Sequence, residues 1–158
     1  MAGSIQLRNV HLNDIAAFYA HHLQLHPLCK TASEEEIAAE NIRFAERWER
    51  MILDSAVLVQ AILWQGSVAG YIAHFAQLGR PALSYWVSKD YWGQGIATQA
   101  VEAFLPLVQP RPLYARVAWD NHASLRVLEK VGFAIVGKGR FFSERHGAEV
   151  DEMILELR

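Results

Sequence analysis

The sequence predicts one mixed α/β domain over residues 1–158, with a central, mostly antiparallel sheet of about seven strands and four helices. The length of 158 residues and the 52% hydrophobic content suffice for a single core. Strand-like and helix-like periodicities follow in the order β, α, α, β, β, β, α, β, α, β, β. The three successive strands predict antiparallel pairing, and the later strand, helix, strand run predicts one parallel crossover. A regular doubly wound sheet is therefore disfavoured.

The first third of the chain predicts a short strand and two helices. Ile5–Arg8 alternates as a strand does, and apolar residues recur at helical spacing from 12 to 22. After a break at Pro27, Ser33 and Glu36 form the capping box of a longer helix. One face of that helix carries Ile37, Asn41, Phe44, Trp48 and Met51. This stripe predicts packing against the sheet.

Three β runs rich in Val, Ile and aromatic residues come next. They span Ala56–Trp64, Val68–Gln77 and Ala82–Ser88. The polar segment 65–67 between the first two contains Gly66 and is typical of a hairpin turn. The first two runs should therefore pair antiparallel.

A glycine-rich loop joins the third β run to a helix from about Gly95 to Leu107. Gly93 and Gly95 permit backbone conformations that other residues avoid, and the first amides of the following helix point towards the loop. This arrangement favours binding of a pyrophosphate. A Gly-x-Gly after a strand also occurs in dinucleotide-binding units and ordinary turns. Because this loop follows the fourth strand rather than the first, dinucleotide binding is disfavoured.

The remaining chain predicts one strand, one helix and two final strands. Leu113–Trp119 is the strand, and Asn121 caps a helix that ends at Gly132. The last strands, Phe133–Phe142 and Val150–Leu157, flank a polar turn. This order completes the predicted sheet.

Composition excludes several classes of function. The net charge of −2 provides no overall basic field for nucleic acid or an anionic membrane. No apolar run approaches the ~20 residues of a membrane span, and the first residues lack a basic segment before an apolar one. With Cys29 as the single cysteine, the chain is expected to be cytoplasmic. His22 and His26 are separated from any acidic third ligand, so no metal site is predicted.

Two motifs at their observed separation carry a resemblance. Residues 91–98 read Tyr-Trp-Gly-Gln-Gly-Ile-Ala-Thr, and residues 120–133 read Asp-Asn-His-Ala-Ser-Leu-Arg-Val-Leu-Glu-Lys-Val-Gly-Phe. They resemble the GCN5-related N-acetyltransferase (GNAT) superfamily, and most of all its ribosomal-protein N-acetyltransferase branch (RimJ/RimL-like). The resemblance implies that the chain binds acetyl-CoA as its cosubstrate and transfers the acetyl group to an amine.

The resemblance also implies where acetyl-CoA lies. The strand segment Ser84–Ser88 and the strand Leu113–Trp119 would splay apart, so that the thioester reaches the middle of the sheet and the amine arrives from the opposite side. Loop amides would hold the pyrophosphate, with Trp92 packed beneath the turn. The implied cofactor-binding residues are Tyr85, Trp86, Val87, Trp92, Gly93, Gln94, Gly95, Ile96, Ala97, Thr98, Asn121 and Ser124.

Most of the catalytic candidates follow from the same resemblance. Many members of the superfamily have a tyrosine that donates to the departing sulfur, but Leu128 occupies that position here. Ser124 matches the serine of the ribosomal-protein branch and is expected to donate to the thiol instead. Two candidates for the general base are Glu144, which lies one residue beyond the expected place, and His74, whose imidazole titrates near neutral pH. Ordered water is a further route for the proton.

Several acceptors and functions remain open. The acceptor pocket is expected between the first two helices and the strands that bear Trp64, Tyr71, His74 and Phe75. The amine is a protein N-terminal α-amine or a small molecule such as an amino acid, a polyamine or an antibiotic. A non-catalytic acyl-CoA-binding module and a nucleotide-binding regulator are the alternatives. Sheet edges in the superfamily often pair, which implies that a homodimer can form.

Overall fold

The computed structural model describes residues 4–25, 33–143 and 147–158, which form seven strands and four α-helices. The strands are β1 (Ile5–Asn9), β2 (Leu58–Trp64), β3 (Ser67–Gln77), β4 (Arg80–Val87), β5 (Leu113–Ala118), β6 (Ala134–Ser143) and β7 (Ala148–Leu157). The helices are α1 (Asp14–Leu25), α2 (Glu34–Leu53), α3 (Ile96–Phe104) and α4 (His122–Lys130). The predicted order of elements is confirmed.

All seven strands belong to one sheet with the spatial order β1-β2-β3-β4-β5-β7-β6. Neighbouring strands are antiparallel except for β4 and β5, which are parallel. The predicted mixed, mostly antiparallel sheet with one parallel crossover is therefore confirmed.

Helices cover the sheet on two faces. On the first, which we call the α3 face, Phe104 of α3 and Leu128 of α4 pack with inward-facing strand residues such as Leu113. On the second, the α1 face, Phe18 of α1 and Trp48 of α2 pack on the strands β2 and β3. Phe18 and Trp48 are themselves in contact, with ring centroids 4.6 Å apart. The apolar stripe predicted for α2 thus faces the sheet at Trp48.

The sheet opens between its two parallel strands. β4 and β5 are in register at a single pair, Ala82 opposite Tyr114, and no ladder continues towards Val87 and Ala118. The neighbouring ladders on both sides continue along these segments. The implied splay is therefore present, and it creates a gap through the sheet.

Several boundaries differ by one or two residues from the sequence predictions, and two of the differences have a local cause. β4 begins at Arg80 rather than Ala82, because Leu78 and Gly79 form a tight turn with positive φ values of 51° and 77°. The helix predicted to reach Leu107 ends at Phe104 and continues as a single 3-10 turn. Pro106 in that turn lacks the amide that an α-helix would require.

The predicted start of α2 is confirmed by a hydrogen bond and the predicted end of α4 by a backbone torsion. Ser33 Oγ accepts a hydrogen bond from the Glu36 amide at 3.1 Å, as an N-cap does. Gly132 follows α4 with a φ of 109°, which suits the glycine that the sequence places there. These local signals fix where α2 begins and α4 ends.

A partly buried ion pair joins β1 to the start of α1. The Asp14 carboxylate is 5% exposed and accepts two hydrogen bonds from Arg8, at 2.7 and 3.0 Å, and one from the His11 amide at 2.8 Å. The hydrogen bonds from Arg8 hold the pKa of Asp14 below its usual value.

We expect Asp14→Asn to lower the free energy of unfolding by about 2 kcal/mol at neutral pH, because Arg8 loses its buried partner. A depressed pKa in the folded state stabilises the protein above the unfolded-state pKa of about 4, and that contribution is lost as the pH falls through the folded pKa. In denaturant titrations, the difference in free energy of unfolding between variant and wild type should therefore become smaller below pH about 4. Asp151→Asn, which removes an exposed pair with Arg140, is the control and should change little. An equal loss in both variants would contradict this expectation.

Candidate active site

A cleft of about 570 Å³ lies between the end of β4 and the first turns of α3 and α4. It brings together most of the residues predicted to bind the cofactor. These are Tyr85, Trp86, Val87, Trp92, Gly93, Gly95, Ile96, Ala97, Thr98, Asn121 and Ser124. Gln94, which was predicted with them, is not among the residues that line this cleft.

A smaller cavity of about 210 Å³ occupies the gap between β4 and β5. Tyr85, Asn121 and Ser124 line both this cavity and the larger cleft, so the two adjoin. The smaller cavity also touches Ser84 and Arg116, whose sheet positions face away from α3. Together the two cavities connect the α3 face to the α1 face through the sheet.

The glycine loop has the backbone that an anion site requires. Gly93 and Gly95 have φ values of 82° and 75°, in the left-handed region that favours glycine. A Cβ built on either residue would meet nothing within 4 Å, so open space lies beside the backbone. Gly95 is also the N-cap of α3, and it offers no side chain to cap the helix. The first amides of α3 are therefore placed to bind a negatively charged ligand.

Trp92 ties this loop to the end of β4. Its indole Nε1 donates a hydrogen bond to the carbonyl of Val87 at 2.8 Å. The residue is nevertheless 55% exposed, so it lies at the surface of the cleft rather than packed fully beneath the turn. The bond fixes the loop relative to the strand that forms the opposite wall.

Ser124 is held in the first turn of α4 by its own backbone. Its amide donates to Asn121 Oδ1 at 3.2 Å, which confirms Asn121 as the N-cap. Leu128, one turn later, is fully buried and lines the smaller cavity with Ser124. The serine thus lies where the cleft meets the gap, with an apolar side chain below it.

Tyr85 connects β4 to α4 at the same place. Its hydroxyl donates to the carbonyl of Ser124 at 3.4 Å. Burial raises the pKa of Tyr85, and a side-chain hydrogen bond with Ser124 partly opposes that rise. The phenol is therefore protonated near neutral pH and acts as a donor that holds Ser124 at the junction.

A known protein family matches most of this chain. The model of the acetyltransferase (GNAT) domain matches residues 4–134. The chain belongs to the GNAT family. The match contains the glycine loop and the start of α4, so the recognition made from these two motifs is confirmed.

Individual relatives agree with the family. The chain is 31% identical over 100 residues to YdaF of Bacillus subtilis (strain 168), provisionally named a ribosomal N-acetyltransferase. That match covers 59% of this chain and 55% of YdaF, so it spans about half of the relative's length.

Solved structures show the same fold. RimJ of Mycobacterium smegmatis, in complex with a CoA disulfide, has a TM-score of 0.74 at 23% identity, over 99% of this chain and 82% of its own. YncA of Salmonella typhimurium, with its cofactor acetyl-CoA, has a TM-score of 0.70 at 18% identity, over 98% of this chain and 94% of its own. Both structural similarities extend along nearly the whole length of this GNAT-family chain.

Of the two predicted base candidates, only His74 lies among the described residues, and it lines neither cavity with Ser124. His74 pairs with Leu83 and faces the α3 side, but it lines neither cavity. Its Nε2 is buried without a hydrogen-bond partner in the described part of the chain. Burial, followed by the positive charge of Arg111, lowers the pKa of His74. Glu144 lies outside the described residues.

One charged pair at the gap was not predicted from the sequence. Arg116 on β5 lines the smaller cavity, and its Nη1 donates to Glu152 Oε1 on β7 at 2.8 Å. The glutamate is 2% exposed. The two residues are far apart in the chain and meet only because β5 pairs with β7. No local signal in the sequence would have found them.

Metal sites and membrane spans are both absent from the part of the chain that the structure describes. Within it, no three His, Cys, Asp or Glu side chains are grouped so that they could hold a metal ion. Its helices are also too short or too polar to cross a bilayer.

Proposed function

We propose that this chain is an N-acetyltransferase that transfers the acetyl group of acetyl-CoA to a primary amine. The single observation that carries the proposal is the connection of the two cavities. The cleft beside the glycine loop has an anion-binding end, and the gap at its other end opens onto the opposite face of the sheet. A long, phosphate-bearing thioester and an amine could therefore approach one point from two sides.

The residues of the cleft fit acetyl-CoA. The uncapped amides at the start of α3 and the two left-handed glycines suit its pyrophosphate. The cleft walls are otherwise largely apolar, which suits the pantetheine arm. YncA, which has the same fold, was solved with its cofactor acetyl-CoA. Acetyl-CoA supplies an activated acetyl group as a thioester.

The proposed reaction is direct transfer. The nitrogen lone pair of the neutral amine forms a bond to the thioester carbonyl carbon, and the carbon–sulfur bond then breaks. The nitrogen loses one proton, and the departing thiolate gains one. We assign Ser124 as the hydrogen-bond donor to the sulfur, because it lies at the junction of the two cavities with its backbone fixed by Asn121 and Tyr85.

Removal of the amine proton needs no dedicated side chain in this proposal. The N-terminal α-amine of a protein, with a pKa near 8, is partly neutral at physiological pH. His74 lines neither cavity, so we do not retain it as the base. Glu144 stays a candidate, and ordered water is the other route.

The acceptor alternatives are a protein N-terminal α-amine and a small-molecule amine. The fold does not decide between them, because acceptor specificity depends on individual side chains rather than on architecture. We extend the proposal to one acetyltransferase domain over residues 1–158, in the cytoplasm as the single cysteine favours. A non-catalytic acyl-CoA-binding module would bind the thioester but never release CoA.

The glycine loop offers a prediction with a matched control. We expect Gly95→Ala to raise the dissociation constant of acetyl-CoA about tenfold or more, because the left-handed residue at the anion site would change conformation and weaken the charged hydrogen bonds. Gly66→Ala imposes a similar backbone penalty, at a φ of 83° in the turn between β2 and β3, of about 1–2 kcal/mol. Calorimetric titration should show weaker binding only for Gly95→Ala, although denaturant unfolding should show both variants destabilised. Equal affinities in the two variants would exclude the loop as the pyrophosphate site.

The activity itself is tested by release of CoA from acetyl-CoA. The purified protein is assayed against N-terminal peptides, amino acids, polyamines and aminoglycosides, and mass spectrometry identifies the acetylated product. Turnover on one class of amine supports the proposal. Tight binding of acetyl-CoA with no turnover on any amine would favour the binding module, and preferential binding of ATP or NAD would favour a nucleotide-binding regulator.

A further inference from the structure

Among the residues that the structure describes, the wall of the gap on the α1 face carries a single charged side chain. Among the described residues that line the smaller cavity, Arg116 alone is charged, and the rest are apolar or neutral polar. A guanidinium at the wall of an otherwise uncharged cavity experiences a lower effective dielectric than it would in water. An anionic group that enters the cavity would therefore be attracted to this one position.

Arg116 is held in place by a carboxylate that is withdrawn from the cavity. Glu152 accepts a hydrogen bond from Nη1, and its side chain is 3% exposed, whereas that of Arg116 is 31% exposed. Gly139 on β6 makes room for this carboxylate, because a Cβ there would lie 2.9 Å from Glu152 Oε1. Glu152 thus acts as a positioning residue, and Arg116 is the member of the pair that reaches the cavity.

No described residue occupies one edge of the guanidinium, which leaves that edge to a ligand in this proposal. The pair with Glu152 uses Nη1, and Nε and Nη2 donate to no group in the described part of the chain. An arginine edge with two parallel N–H groups matches the two oxygens of a carboxylate.

We propose that the acceptor is a small amine that carries a carboxylate close to its amino group, as an amino acid does, and that Arg116 binds this carboxylate. The inference rests on the proposed acetyl transfer. It selects the small-molecule alternative over the N-terminus of a protein, because a peptide has an amide where an amino acid has its carboxylate. In this arrangement the amino group points towards Ser124, across the same cavity.

The test compares matched acceptors. Free α-amino acids, the corresponding α-amino carboxamides and short peptides are each assayed for CoA release. We expect kcat/KM for the preferred amino acid to exceed that of its carboxamide about ten- to a hundredfold, the difference made by a charge-assisted pair of hydrogen bonds. Arg116→Gln should reduce this ratio of kcat/KM values to about one. Arg140→Gln, which changes an exposed arginine on β6, should leave it unchanged.

Removing Arg116 alone leaves the buried Glu152 carboxylate without its partner, which destabilises the folded state. The double variant Arg116→Gln/Glu152→Gln replaces the ion pair with two neutral amides of similar size. It should fold, and it should show no preference for the amino acid over its carboxamide. Glu152→Gln alone should weaken the preference mainly through KM, because the guanidinium is present but less well oriented.

The outcomes separate this inference from the proposed function. If carboxamides or peptides are acetylated as well as amino acids, or if the double variant keeps the preference, the inference is wrong although the protein is an acetyltransferase. If no amine is acetylated, the proposed function fails, and binding decides the inference instead. Calorimetry with CoA present then compares N-acetyl amino acids with their amides. A preference for the acid that depends on Arg116 supports the anion site, and equal or absent binding overturns it.

Discussion

Replacement of Ser124 by alanine is expected to lower kcat about a hundredfold, which is typical for the loss of one proton donor at a reacting group. The change removes only the hydroxyl. The Ser124 amide still donates to Asn121, and its carbonyl still accepts from Tyr85, so the first turn of α4 keeps its geometry. The dissociation constant of acetyl-CoA should accordingly change little, and steady-state kinetics should show the loss in kcat.

Ser67→Ala is the control for this prediction. Ser67 is an exposed serine at the start of β3, and it lies outside both cavities. Its kcat should equal that of the wild type. A Ser124→Ala enzyme that retained full kcat would show that the thiolate takes its proton from another group, such as water.

Gly70→Ala is expected to lower the free energy of unfolding by about 3 kcal/mol, the upper range for overpacking a well-packed site. Gly70 lies on β3 where β4 passes closest. A Cβ there would lie 1.8 Å from the carbonyl oxygen of Trp86 and 3.0 Å from the Cα of Val87. Because the obstacle is backbone rather than a flexible side chain, β4 itself must move. Denaturant unfolding measures the loss.

The same shift should reach the cofactor cleft. Trp86 and Val87 line the cleft, and the Val87 carbonyl accepts the bond from Trp92 that ties down the glycine loop. We therefore expect weaker binding of acetyl-CoA by Gly70→Ala. Gly137→Ala on β6 is the matched control, because its Cβ would meet only a side-chain methyl of Ile154 at 3.9 Å. Comparable losses of stability and of acetyl-CoA affinity in the two variants would show that the close approach of β3 to β4 at Gly70 is not the cause.

Much of the fold was predictable because its signals are local. The Ser33 cap, the turn at Gly66 and the N-cap at Asn121 each depend on residues a few positions apart, and all three are as predicted. The β4 start at Arg80 was missed because Leu78 adopts a positive φ that a leucine rarely takes. Local sequence offers no sign of such a torsion.

The residues of the candidate site differ in the same way: those in local motifs were predicted, and those that meet through long-range pairing were not. The glycine loop and Ser124 were predicted as site residues because each lies in a short motif, and the structure brings them to one cleft. Arg116 and Glu152 were missed because their contact depends on the pairing of β5 with β7, which alternation along either strand cannot reveal. His74 was a candidate on its chemistry alone, and only the structure shows that it lies on the α3 face and lines neither cavity.

The most direct test is a crystal structure of the protein grown with acetyl-CoA. The account predicts the pyrophosphate at the amides that begin α3, the thioester in the gap between β4 and β5, and its sulfur within hydrogen-bonding distance of Ser124 Oγ. A thioester that lies outside this gap, or a pyrophosphate away from Gly93 and Gly95, would contradict the proposed active site.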